Sequence, residues 1–190
     1  MSKLKRPLKE KGCSTFIRFN EAIPILRKVQ NLREESFASL VSPQTPFGII
    51  SSFKNYETQP FEGCIKIYFA KGYGYTDVKY ISKNEKLANA YKVFITKSYG
   101  AGEGFPHQIL NKPFLGELHS CCTQTYLVIG PFQNEKESSN VLQYIKTKFF
   151  RFMVMLKKIR KMQCEEFMNL YQFKILQKNG LMKNFMPNMV

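Results

Sequence analysis

The side chains best suited to metal or nucleophilic chemistry in this 190-residue chain are few. They are His107, His119, Asp77 and five cysteines, Cys13, Cys64, Cys121, Cys122 and Cys164. Asp77 is the lone aspartate; the remaining acids are glutamates. Hydrolytic metal centres draw on several Asp, Glu or His ligands, and a metal-dependent nuclease sets an Asp beside a Glu-x-Lys around one strand. Asp77 has no such companion. Cys121 and Cys122 follow His119 closely, but adjacent cysteines cannot easily share one tetrahedral zinc, and no second pair exists. There is no CxxC, the number is odd and the spacing irregular, so reduced thiols in a cytosol are expected. A Cys–His hydrolase would need an orienting acid or amide, and none is singled out. The segments KGYGYT and YGAGEGFP carry neither GxxxxGK[ST] nor a GxGxxG between strand and helix. No catalytic residue, metal or bound cofactor is expected in this chain.

Recognition chemistry is better supplied. Lys and Arg number 29 against 14 acids, a formal charge of +15, which suits an anionic partner, nucleic acid first. The stretch 97–114 (KSYGAGEGFPHQILNKPF) is rich in donors and acceptors that can meet base edges or phosphates: Lys97, Ser98, Tyr99, Asn111 and Lys112. Lys71, Tyr73 and Tyr75 offer the same from a glycine-containing turn. Lys146, Lys148 and Arg151 are phosphate candidates on a basic helix. Residues 1–12 hold five basic residues and one acid and read as a solvated arm, either solubilising or phosphate-contacting.

The elements that must position these residues follow from periodicity. TFIRFNEAIPILRKV (15–29) is helical, with Phe19, Ile23 and Leu26 on one face, Asn20 as cap and Pro24 in the first turn. Residues 31–41 suggest a second short helix, and 42–48 a loop. CIKIYFA (64–70) alternates as a strand, with Ile65, Ile67 and Phe69 on one face and Lys66 and Tyr68 on the other. KGYGYTD (71–77) reads as a turn, and VKYI (78–81) as the returning strand. Residues 85–90 suggest a short helix, 91–95 a strand and 125–129 a buried strand. The intervening 97–120 is long for a structureless loop. Residues 134–161 read as one helix, with Val141, Ile145 and Phe149 at i, i+4 and Glu135 and Glu137 at its positive end.

Taken together, FIRFNEAIPILRKV, PFGIISSFK, IKIY with GYGY, YKVFITKSYGAGE, ILNKPFLGE, CCTQTYLVIG and YIKTKFFRF resemble the C-terminal region of bacterial restriction-modification polypeptides. These are adenine-specific DNA methyltransferases, often fused to a type II restriction endonuclease. The resemblance spans about residues 15–158. Each segment is weak alone; the set, in order, is specific. It implies a region that follows the catalytic domain and helps choose the DNA target. The family's catalytic part holds a flipped adenine with an Asn/Asp-Pro-Pro-Tyr/Phe motif and binds S-adenosylmethionine on a Gly-containing strand–loop. This chain has no Pro-Pro dipeptide and no convincing cofactor loop, so the resemblance implies a recognition part without its engine.

The end of the chain departs from that pattern. The family continues with a helix and a stretch resembling VPIQDF…WTDE.LY.KYG, whereas here MQCEEFMNLYQFKILQKNGLMKNFMPNMV follows. Reading the codons of 167–190 one register later permits YEFVPIQDFTKEWTDEKFYAKYG, and methionines are concentrated there, as expected when ATG arises across codon boundaries. A frameshift near 159–162 is the expectation; the neighbouring frame of the locus tests it.

The expectation is therefore an α+β fold. It comprises a basic arm (1–13), a single globular recognition module (14–161) with a small central sheet and flanking helices, and an out-of-frame tail (162–190). Its expected partner is double-stranded DNA, with the separate catalytic half of the same enzyme as a second. No apolar run is long enough to span a bilayer and no signal-peptide pattern begins the chain, so a cytoplasmic, non-membrane protein is expected. Two alternatives stand: an autonomous methyltransferase or nuclease, and a basic RNA-binding or subunit-docking module.

Overall fold

The computed structural model describes residues 5–13, 16–33, 37–96 and 112–157. Two three-stranded sheets form an α+β fold. The first is ordered β2-β1-β5, from β1 (Cys64–Phe69), β2 (Gly72–Asp77) and β5 (Ser120–Cys122). The second is ordered β4-β3-β6, from β3 (Tyr91–Thr96), β4 (Phe114–Gly116) and β6 (Tyr126–Phe132). All pairings are antiparallel except β1 with β5, which is parallel.

Strands β3 and β6 of the second sheet are covered on both faces, which is why YKVFIT and YLVIGPF are nearly continuous apolar runs. Val93, Ile95, Leu127 and Ile129 join the core formed with the helices. Phe94 and Val128 join a second core with Ile65, Ile67, Cys121 and Cys122 of the first sheet. The helix layer contains α1 (Ala22–Asn31), α3 (Glu135–Lys146) and α4 (Lys148–Lys157), with a short α2 (Glu85–Ala88) leading into β3. Val29 and Leu26 of α1, Val141 and Ile145 of α3, and Phe150, Met153 and Val154 of α4 are buried there.

Several elements differ from the expectation. The hairpin exists, but its turn is only Ala70 and Lys71; GYGYTD is strand β2, and VKY forms a 3-10 turn. Gly74 is needed for packing. A Cβ there would lie 2.7 Å from the Tyr56 ring and 2.9 Å from the Glu57 carbonyl, which pairs with Tyr75. The expected helix of 31–41 is a 3-10 turn at Phe37–Leu40 among the described residues. Phe19 is 48% exposed and lies outside α1; Ala22 and Val29 complete the buried stripe instead. The presumed solvated arm is anchored through buried Glu10, which pairs with Arg6 and Arg27, and through buried Cys13, while Lys5, Lys9 and Lys11 stay exposed.

The long C-terminal helix is two helices. Thr147 stops α3 and starts α4: its hydroxyl donates to the Tyr144 carbonyl at 2.7 Å and accepts from the Phe150 amide at 3.1 Å. The break brings Phe150 and Met153 into the core beside Val154, while the expected Phe149 is only half-buried against it. At the start of α3, Asn134 accepts from the Glu137 amide at 2.9 Å, a capping contact. The tail assigned to 162–190 lies outside the described residues. Among the described residues no helix is long and apolar enough to cross a membrane.

Candidate nucleic-acid interface

Tyr68 ties the β1–β2 hairpin to the second sheet. Its ring lies 5.3 Å from Phe94 of β3 and 5.1 Å from Phe114 of β4. Phe94 and Phe114 are register partners near the ends of β3 and β4 between which residues 97–113 run. Lys71, in the hairpin turn, and Lys112, two residues before β4, are both exposed. Beside the tip, Tyr73 faces Tyr68 across the pair with centroids 6.2 Å apart and is 57% exposed. Tyr75 stands edge-on to Tyr73 at 6.3 Å and is half-buried.

Lys66 brings charge into this aromatic group. Its Nζ lies 4.5 Å from the Tyr73 ring centre and 5.4 Å from that of Tyr68, within cation–π range. It donates to Glu117 Oε1 at 2.7 Å, and Tyr68 Oη donates to the same oxygen at 3.1 Å. The hydrogen bond to Glu117 holds the Lys66 ammonium above its ordinary pKa. The hydrogen bond from Lys66 holds the Glu117 carboxyl below its own. Partial burial pushes the Tyr68 phenol up.

Glu117 sits in the turn by which the chain passes from β4 to β5, and that turn is pinned from below. Lys92 of β3 is fully buried, and its Nζ donates to the carbonyls of Ala88 (2.7 Å), Ala90 (3.1 Å) and Glu117 (2.8 Å). Three carbonyls match the three donors of an ammonium. Desolvation nevertheless pushes its pKa down to about 8. Ser120 Oγ also donates to the Glu117 carbonyl. Gly116 makes the approach possible, since a Cβ there would lie 2.6 Å from Lys92 Cγ and 2.8 Å from a Phe94 ring carbon.

His119 completes the turn with a positive φ of 56°. Its Nε2 donates to the Cys64 carbonyl at 3.1 Å, and its Nδ1 lies 2.9 Å from Asn89 Oδ1. Both ring nitrogens are thus engaged within the fold. Burial pushes the Cys121 thiol up to about 12 and that of Cys122 well above its ordinary value, so neither is a ready thiolate. Among the described residues no group of three His, Cys, Asp or Glu side chains is placed to hold a metal.

Of the residues singled out from sequence, Lys71, Tyr73 and Tyr75 share the β1–β2 hairpin, with Lys71 and Tyr73 exposed and Tyr75 half-buried, and Lys112 is exposed just before β4. Lys97, Ser98, Tyr99 and Asn111 lie outside the described residues. Lys146 and Lys148 are exposed and Arg151 half-buried at the α3–α4 junction. They belong to the helix layer, separated from the hairpin by the β4-β3-β6 sheet. Sequence reading did not single out Lys66, Lys92 or Glu117, and it weighed His119 only as a metal ligand or catalytic base. Lys66 carried a usable signal, since alternation placed it on the same face as Tyr68; the others depend on non-local pairing. No family model, curated protein or solved structure matches this chain.

Proposed function

We propose that this chain is the DNA target-recognition module of a restriction-modification enzyme, acting in the cytoplasm on double-stranded DNA. The methyltransferase chemistry, with its S-adenosylmethionine, belongs to a separate catalytic half. The observation that carries this reading is the exposure of Lys71 and Tyr73 on the β1–β2 hairpin of a chain with formal charge +15. The tip of the β1–β2 hairpin, Phe69–Gly72, extends beyond the pairing with β5, and a narrow β-ribbon can enter a major groove. Lysines there would neutralise phosphates and set register, while loop side chains would approach base edges. Lys146, Lys148 and Arg151 would serve a different stretch of backbone, from the helix layer.

The test is binding of the full chain to matched duplex DNA, single-stranded DNA and RNA across a salt series. Duplex preference and a steep salt slope are expected; with six to ten phosphate contacts, affinity falls about 10³–10⁵-fold between about 50 and about 200 mM salt. Lys71→Ala should weaken binding and flatten the log–log slope by roughly one. Indifference to strand type would favour the basic RNA-binding or docking module instead. Binding of S-adenosylmethionine or DNA cleavage by the chain alone would overturn the division of labour.

A further inference from the structure

We infer that Lys66 and Tyr68 form a phosphate seat that the Glu117 carboxylate occupies in the absence of ligand, and that a DNA phosphodiester oxygen takes its place on binding. This inference rests on the DNA-recognition reading above and assigns one contact within it. One carboxylate oxygen of Glu117 accepts from both Lys66 Nζ and Tyr68 Oη. Two donors converging on one point are what an anionic oxygen requires. The seat is preorganised. Lys66 is only 20% exposed at its side chain and is braced by the Tyr73 ring, while Tyr68 is fixed by Phe94 and Phe114.

The occupant is less committed than the seat. The Glu117 side chain is 58% exposed, and an ion pair with one partner so open to water is worth little. Its main chain is held independently by Lys92 and Ser120 through the carbonyl oxygen. The carboxylate can therefore swing out while the turn stays in place. The seat also lies beside the exposed Tyr73 ring, on the hairpin face that carries Lys66 and Tyr68. A phosphate there would gain the ammonium and the phenol together, and a negatively charged side chain would leave for solvent.

The test compares wild type, Glu117→Gln, Glu117→Gln/Lys66→Met and Glu85→Gln for duplex DNA binding across a salt series. Inorganic phosphate is added as competitor in a parallel arm. Freeing the seat should tighten duplex binding severalfold at low salt and steepen the log–log slope by about 0.9, one additional phosphate. The added Lys66→Met change should abolish both effects. Glu85→Gln, an equal charge change on α2, should shift the slope little. Millimolar inorganic phosphate competing more strongly against Glu117→Gln than against wild type would show that free phosphate also fits; unequal competition is expected in either case to vanish with Lys66→Met. If Glu117→Gln unfolds, Tyr68→Phe replaces it, and lower duplex affinity at unchanged thermal stability is expected. Wild-type binding with the same slope in Glu117→Gln, or the same affinity in Tyr68→Phe, overturns the seat and leaves the DNA reading intact. No duplex binding by any variant overturns both.

Discussion

Lys92 is the residue whose surroundings conflict most openly. Burial disfavours its charge, while three carbonyls favour it. Replacing it with Met would leave the carbonyls of Ala88, Ala90 and Glu117 without their shared donor. Unsatisfied buried polar groups cost about 1–3 kcal/mol each, with relief where water reaches them. Lys92→Met should therefore destabilise the fold at pH 7 by about 1–3 kcal/mol, read as a lower urea midpoint. The pH dependence has a definite sign. The folded lysine loses its proton near about 8, whereas the unfolded one keeps it to about 10.4. Between these values the unfolded chain binds more protons, so this residue's contribution to stability rises with pH. The gap between wild type and Lys92→Met should widen from pH 7 to pH 9.5; a constant gap would contradict the lowered value. Nothing in the residue's sequence context announces this. In YKVFI a lone lysine among apolar neighbours reads as a solvent-facing position. It is buried because β4 and the turn to β5, distant in sequence, close over it.

Elements differ in how far they could be read. β1, β3 and β6 were legible because their apolar residues alternate or run continuously against two cores. β2 was not, because Gly-Tyr-Gly-Tyr mimics turn composition; Gly74 serves the approach of Tyr56, and the tyrosines face Lys66 and Tyr68. β4 and β5 have three residues each, too few to display a period, and β5 is defined by a parallel pairing with β1. The split of α3 from α4 carried one signal, a threonine able to cap. Thr147→Ala should remove the hydroxyl that accepts from Phe150 and cost about 1 kcal/mol, read as a fall in thermal midpoint. Thr147→Ser, which keeps the hydroxyl, should restore most of it. The segment holding four of the eleven candidate contact residues, 97–111, lies outside the described residues, so the candidate site is defined from its roots at Thr96 and Lys112.

At the scale of the molecule, the β4-β3-β6 sheet divides two apolar interiors and belongs to both. Phe94 is fully buried on one side of it and touches Tyr68, Phe114 and Tyr126. Phe94→Ala should cost about 3–5 kcal/mol. It should also loosen the hairpin, since Tyr68 leans on that ring; faster amide exchange in β1 and β2 than in α1 would show it. The helix layer and the first sheet should otherwise melt together, because each is packed on opposite sides of the same strands. The positive charge is a property of this scale too, and it governs encounter with polyanions more than it governs folding.

The doubly pinned carbonyl of Glu117 has a kinetic consequence. Because main chain and side chain of that residue are tethered separately, trading one acid group for another asks only for rotation about a few single bonds. Exposed side chains reorient in picoseconds to nanoseconds. Gain or loss of a partner at this spot would therefore be limited by diffusion and by how tightly the newcomer is held, with no slow rearrangement of strands standing in the way.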